Sequence, residues 1–323
     1  MRLVVLSDAD TRDEVFLRNV VPPLEDALAA MPEATLVSVG GASRSSGSPG
    51  RVPRWLAAIR TVRKADWVFW IQYHLRPALG VWSLAYARPL ARRGMLAIEQ
   101  WEWGVERLGR IVEAQRPGAC FVLYRQSYVE LRKRFPLVRW ERLPTGFNSG
   151  VFRDLGLERD IYAFSMGRRY EPLHEALSQH CAERNLVYRY SRGRGDPPDL
   201  ATLNELINRS RYFVVTPPDL GDRSRTGGFS PITLRYLEGP GSGSRLLGVK
   251  PGDYDEYAEL LPDHAIVDVA SDASDLATAL DRADADPGAD VIRAQIAAHV
   301  HAHHTWRHRA ETIHARLLEL GEE

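Results

Sequence analysis

A chain of 323 residues is long enough for one large domain or two ordinary ones. Its 44% hydrophobic and 26% charged content is that of a soluble globular protein, and 42 basic against 42 acidic side chains leave no net charge to draw it onto nucleic acid. The basic side is nearly all arginine, with lysine only at Lys64, Lys133 and Lys250. A GC-rich genome is the plain origin of such a bias, although the planar guanidinium fork also suits phosphates and carboxylates.

The N-terminal Met1–Ser7 is too short an apolar run for a secretory signal and reads as a first strand, Arg2–Leu6. Phe16–Ala30 has helical spacing, with Pro22 and Pro23 placed near a helix start. Thr35–Val39 reads as a strand, Gly40–Pro53 as a Gly/Ser-rich loop, Trp55–Val62 as a helix and Trp67–Gln72 as a third strand. Helix Leu79–Arg92, strand Met95–Glu99, helix Val105–Ala114, strand Cys120–Tyr124, helix Tyr128–Arg134 and strand Val138–Leu143 follow. The second half repeats the alternation. Its strands are Tyr162–Ser165, Leu186–Tyr190, Tyr212–Thr216, Arg245–Val249 and Ile266–Val269. Its helices are Leu173–Glu183, Asp199–Ile207, Pro231–Glu238, Asp253–Leu260 and Ala273–Ala283, and Val291–Leu320 closes the chain as one helix. Alternation of this kind predicts parallel sheets wrapped by helices, an α/β architecture.

No run reaches the roughly 18 apolar residues that span a bilayer. Leu75–Arg93 carries Trp, Tyr and Arg and suits either peripheral membrane contact or a buried crossover helix. Cys120 and Cys181 lie far apart with no metal-ligand spacing, which fits a reducing cytoplasm. His299, His301, His303, His304 and His308 include i, i+4 pairs, but with no Cys or carboxylate to complete a set they read as a solvated helix face. Asp8-Ala9-Asp10 has the spacing of a metal-binding pair without acidic support.

Two segments carry chemistry. In Tyr162-Ala163-Phe164-Ser165-Met166-Gly167-Arg168-Arg169 a strand runs into a Gly-Arg turn before a helix. There a phosphate can approach the backbone and be gripped by Arg168 or Arg169. In Ser230-Pro231-Ile232-Thr233-Leu234-Arg235-Tyr236-Leu237-Glu238 a helix brings Glu238 to its end, ahead of the glycine-rich turn Gly239–Ser244. A carboxylate so placed can accept both hydroxyls of a ribose. The alternatives are an ordinary strand-to-helix turn and a surface Glu beside a flexible loop.

Taken in order, these segments resemble GT-B-fold glycosyltransferases, in particular the retaining family 4 type. Pro144-x-Gly146-Phe147-Asn148-x3-Phe152 is similar to that family's interdomain linker, and Phe164-Ser165-Met166-Gly167-Arg168 to its diphosphate turn. Glu238-x4-Gly243-x4-Gly248 is similar to its donor segment, and Thr305-Trp306-x2-Arg309-Ala310 to its terminal helix. The resemblance covers mainly residues 143–320. It implies two Rossmann-like domains facing a cleft: an acceptor domain at 1–148, a nucleotide-sugar domain at 149–295, and a terminal helix at 296–323 that crosses back to the first. The activity it implies is transfer of a sugar from a nucleotide sugar such as a UDP-, GDP- or dTDP-sugar to a small-molecule or glycan acceptor. The transfer would be metal-independent, with no cofactor and with retention of configuration.

The donor would be held by Gly167, Arg168, Arg169, Arg235 and Glu238. The acceptor would lie at strand ends in the first half, near Asp10, Tyr73, Glu99, Trp101 and Glu102, with His74 as a base. The family's Glu-x7-Glu pair becomes Ser230 and Glu238, so Ser230 would stand beside the transferred sugar without a charge. The family's Lys after Gly-Arg is missing, leaving Arg169, Arg192, Arg194, Arg223, Arg225 or Arg235 to supply it. Two rival readings share the fold: a sugar-nucleotide epimerase, and a catalytically silent nucleotide-sugar-binding subunit.

Overall fold

The computed structural model describes residues 1–8, 17–39, 51–73, 85, 91–98, 100–192 and 199–323, with only the backbone at 8, 39, 51–56 and 73. The chain divides into two compact units, Met1–Pro144 with Trp306–Glu323, and Thr145–Thr305. The first crossing therefore precedes Gly146-Phe147-Asn148, and residues 296–305 belong to the second unit.

In the first unit β1 (Leu3–Asp8), β2 (Ala34–Val39), β3 (Trp67–Tyr73), β4 (Arg92–Ile98), β5 (Ala119–Val122) and β6 (Trp140–Arg142) form one parallel sheet. Their order is β2-β1-β3-β4-β5-β6. Leu3, Val4, Val5 and Leu6 are all buried, as are Trp67, Val68, Phe69 and Trp70. Continuous apolar runs of this kind belong to strands covered on both faces. The helices include α1 (Val21–Ala29), α2 (Arg51–Val62), α3 (Glu102–Gln115) and α4 (Arg125–Arg134). Prolines 22 and 23 lie in the first turn of α1, where a missing N–H costs no intrahelical bond. Pro53 does the same in α2, so that helix begins inside the stretch read as a loop. The helix expected over 79–92 lies almost wholly outside the described residues, and β4 starts at Arg92.

The second unit has five parallel strands, β7 (Ile161–Met166), β8 (Tyr188–Ser191), β9 (Ser210–Val215), β10 (Arg245–Gly248) and β11 (Ile266–Asp268), in the order β11-β10-β9-β7-β8. Alternate strand residues feed two cores. Phe164, Phe213, Val215 and Leu246 join Phe147, Phe152, Tyr236 and Leu237 on one face, while Tyr162, Tyr212, Val214 and Leu247 join Leu173 and Leu177 on the other. The helices are α5 (Glu171–Glu183), α6 (Leu200–Asn208), the single turns α7 (Pro218–Gly221) and α8 (Arg223–Thr226), α9 (Arg235–Gly241), α10 (Tyr254–Leu260), α11 (Leu276–Asp284) and α12 (Ala289–His303).

The closing segment is two helices rather than one. α12 ends at His303, and α13 (Trp306–Glu322) begins after a break at His304 and Thr305. At that break the Phe147 N–H donates to the His304 carbonyl at 3.0 Å, and Phe147 bridges Thr305 in parallel. The carbonyl that would continue the helix is spent on the linker. In the first unit α13 packs on α1, with Trp306 Nε1 donating to the Asn19 carbonyl at 2.8 Å and Arg309 Nε donating to the Pro144 carbonyl at 2.7 Å.

Of the histidines read as a solvated face, His303 is exposed, but His299, His301 and His304 are engaged within the second unit. His301 Nε2 lies 2.8 Å from the Gly241 carbonyl, His299 Nε2 lies 3.2 Å from both the Leu260 carbonyl and His304 Nε2, and His304 is buried. They stitch α12 to α9 and α10, which no periodicity could show. Among the described residues no three His, Cys, Asp or Glu are grouped to hold a metal ion, and no helix is long and apolar enough to cross a membrane.

Candidate functional site

Counted from its first strand, the second sheet runs 2-1-3-4-5: β8 lies on one side of β7 and β9 on the other. The connections leaving β7 and β9 diverge there, the point at which parallel open sheets bind ligands at their strand C-termini. Gly167 and Arg168 follow β7, and the long connection 216–234 follows β9.

Gly167 has φ +98°, in the left-handed region that favours glycine. Its N–H donates to the Ser191 carbonyl at 2.8 Å, and its carbonyl accepts from the Tyr190 hydroxyl at 2.9 Å. The amide is therefore already engaged, and the glycine serves a different purpose from the one expected. A Cβ at this position would stand 2.9 Å from Nη2 of Arg235. Absence of a side chain is what lets the Arg235 guanidinium lie against the turn.

Arg235 opens α9, and Glu238 sits one turn on, at i+3 on the same helix face. Burial pushes the Arg235 pKa down and the Glu238 carboxylate opposes that shift. Arg235 Nη1 is sealed from solvent and makes no hydrogen bond to the described residues. A buried guanidinium N–H without an acceptor costs about 1–3 kcal/mol. Glu238 is 6% exposed.

The helix expected over 231–238 is thus displaced. Residues 230–234 are irregular, and α9 starts at Arg235, so Glu238 lies in its first turn and Gly239–Gly241 are helical. Two tethers hold the preceding segment out of the helix: Ser230 Oγ accepts from Gly252 N–H at 2.8 Å, and Glu256 Oε2 accepts from Ile232 N–H at 3.0 Å. The glycine at 239 is for packing, since a Cβ there would stand 2.7 Å from Phe213 and 2.8 Å from Leu246. Ser230, expected beside the transferred sugar, is 3% exposed with its hydroxyl engaged at Gly252.

Arg168 Nη1 pairs with Asp222 Oδ2 at 3.2 Å. Arg169 is taken up locally, with Nε donating to Glu171 at 2.7 Å and the guanidinium 5.7 Å over the Tyr190 ring. Arg192 and Arg223 are exposed, Arg225 is half-buried, and Arg194 lies outside the described residues. Sequence reasoning missed Asp222 and Glu256. Asp253-x-x-Glu256 is a legible capping pair, confirmed by the Glu256 N–H donating to Asp253 Oδ1 at 3.2 Å, but the reach of Glu256 to Ile232 is purely tertiary.

The first sheet has the same switch, with β1 and β3 ending side by side at Asp8 and Tyr73. Of the acceptor candidates, Asp10, His74 and Glu99 and the side chain of Tyr73 lie outside the described residues. Glu102 is exposed in the first turn of α3. Trp101 is 2% exposed and packs 5.1 Å from the Tyr124 ring, so it is core and presents no face to an acceptor.

Residues 170–315 match a family model described as glycosyl transferase-like, a span that includes Asp222, Arg235 and Glu238. No curated protein matches the sequence significantly. Among solved structures, sucrose-phosphate synthase from Thermosynechococcus elongatus is similar at 15% identity and a TM-score of 0.61, covering 99% of each chain. HepE of Anabaena in complex with UDP-glucose is similar at 11% identity and a TM-score of 0.59, covering 99% of this chain and 100% of that one. A glycosyltransferase from Rickettsia africae gives 11% identity and a TM-score of 0.58 over 99% and 98% of the two chains. The likenesses establish the GT-B fold, and with the segment matched at 170–315 they agree with the resemblance to GT-B glycosyltransferases, without singling out the retaining family 4 type.

Proposed function

We propose that this chain is a glycosyltransferase that takes its sugar from a nucleotide sugar bound at the C-terminal ends of β7 and β9. The observation that carries this reading is the Arg235 guanidinium lying against Gly167, with Nη1 buried and without an acceptor among the described residues, on the same helix face as Glu238. A diphosphate at that point pairs with the Arg235 guanidinium and draws Arg168 as a second cation. Glu238 then accepts from the ribose hydroxyls. As the glycosidic bond breaks, negative charge grows on the leaving diphosphate, and fixed guanidinium groups in a partly desolvated crevice stabilise that charge more in the transition state than in the ground state. In this reading the two arginines perform the task without a metal, and configuration is retained.

HepE has been captured with UDP-glucose, which makes a UDP-sugar the first donor to test. The acceptor belongs to the first unit, at the ends of β1 and β3, where His74 would take the hydroxyl proton, with Asp10, Tyr73, Glu99 and Glu102 around it.

The test is a thermal-shift and calorimetric panel of UDP, GDP, ADP and dTDP with their sugars. One base should raise the melting temperature. Glu238→Ala and Arg235→Ala should each weaken its binding at least about tenfold, the loss of one charge-assisted contact. A folded chain that binds none of these nucleotides would overturn the reading. Turnover that survives chelation and proton NMR of the product anomer test the metal-free and retaining parts.

A further inference from the structure

The carboxylate of Asp222 stands where a donor phosphate would have to engage Arg168. The two side chains pair at 3.2 Å and are 37% and 31% exposed, so both are accessible to a ligand entering from solvent. Asp222 is held by its own turn. Oδ1 accepts from the Ser224 hydroxyl at 2.7 Å and from the Arg225 N–H at 3.2 Å, leaving Oδ2 to face the guanidinium. Those bonds keep the carboxyl below its ordinary range and hence charged throughout the neutral region, with Ser224 the largest cause. The segment that carries it, 217–226, is followed by two glycines in succession at positive φ, Gly227 at +73° and Gly228 at +117°.

We propose that Asp222 is a built-in competitor for the diphosphate: it occupies Arg168 in the free protein, is exchanged for phosphate oxygens when the nucleotide sugar binds, and re-pairs with Arg168 as the nucleoside diphosphate leaves. This inference rests on the donor site proposed above. Its chemistry is the exchange of one anion for another on the same guanidinium, so no bond is made or broken. A single carboxylate paired with an accessible arginine is a weak interaction. A diphosphate that also engages Arg235 displaces it, whereas a lone phosphate has less to offer. The pair therefore selects for diphosphates and shortens the residence of the leaving nucleotide.

The experiment measures the dissociation constants of UDP, GDP, ADP and dTDP, and of the matching monophosphates, for wild type, Asp222→Asn, Arg168→Ala and the double variant. Asparagine keeps the shape of the side chain and its ability to cap Arg225, and removes only the charge. Asp222→Asn should bind the preferred diphosphate at least about threefold more tightly and should narrow its preference over the monophosphate. The gain should disappear in the Arg168→Ala background. Unchanged or weaker diphosphate binding in Asp222→Asn would overturn the inference, as would a gain that persists without Arg168. If binding is lost in Glu238→Ala yet is indifferent to Asp222→Asn, the donor site stands and this inference alone falls. If the folded wild type binds no nucleotide, both fall together.

Discussion

An alanine at 167 would combine two costs. A β-carbon in the left-handed region costs about 1–2 kcal/mol, and this one would also press on Arg235 Nη2 from 2.9 Å. The first cost falls on stability and the second on the ligand. Gly167→Ala should therefore lower the urea midpoint modestly while weakening nucleotide binding by more than that stability loss implies, as read by calorimetry beside an unfolding curve. The pairing of Gly167 with Arg235 was only half legible. Both residues are read as donor contacts from their places in two motifs, 68 positions apart in the numbering. What sequence could not supply was the cause, because a glycine that yields room to a guanidinium looks the same as one that yields its amide to a phosphate. Trp101 teaches the opposite lesson: from its place after β4 it is expected near the acceptor, yet the start of α3 turns it into the core.

Helix α5 and the strands beneath it meet through histidines that titrate abnormally. His180 is buried and stacked on Tyr162, with ring centroids 6.0 Å apart, and burial, reinforced by Arg184, lowers its pKa. His174, 2.9 Å from the Tyr188 hydroxyl, is lowered by burial and then by Arg169. Below the unfolded value of about 6.5 the unfolded chain takes up protons that the native helix refuses. The stabilisation is complete above that value and declines as pH falls through it toward the depressed native values. Urea midpoints measured between pH 7.5 and 5.5 should drop, and His180→Gln should flatten the slope. At this scale strands were the legible part, since the five β-branched and aromatic runs of the second half each reappear within a few residues. The helix over 231–238 was not. Its residues have ordinary helical spacing, but Glu256 and Gly252 capture 230–232 from another element, and tertiary hydrogen bonds outweigh local propensity. The same reason broke the expected closing helix at His304.

Across the whole chain, the first unit is discontinuous: it lacks its last layer until Trp306–Glu323 is in place. Trp306, Ala310, Ile313, Leu317 and Leu320 are buried there. At about 1.5–3 kcal/mol for each large apolar side chain, their sum approaches the full stability of a typical domain, about 5–15 kcal/mol. A chain ending at Thr305 should keep a protease-resistant second unit while residues 1–144 are digested, as followed by limited proteolysis and mass spectrometry. Survival of both fragments would show α13 to be dispensable. The alternation of strand and helix made two such units legible, but the points of crossing, at Pro144 and Thr305, depend on hydrogen bonds to Arg309 and Phe147 that pattern alone does not encode.

That discontinuity governs how the protein is born. Synthesis proceeds from the amino end, yet the piece that completes the first unit is made only after the whole of the second. The apolar side of α1 therefore stays uncovered while residues 145–305 are added, and chaperones have that interval in which to engage the unfinished unit.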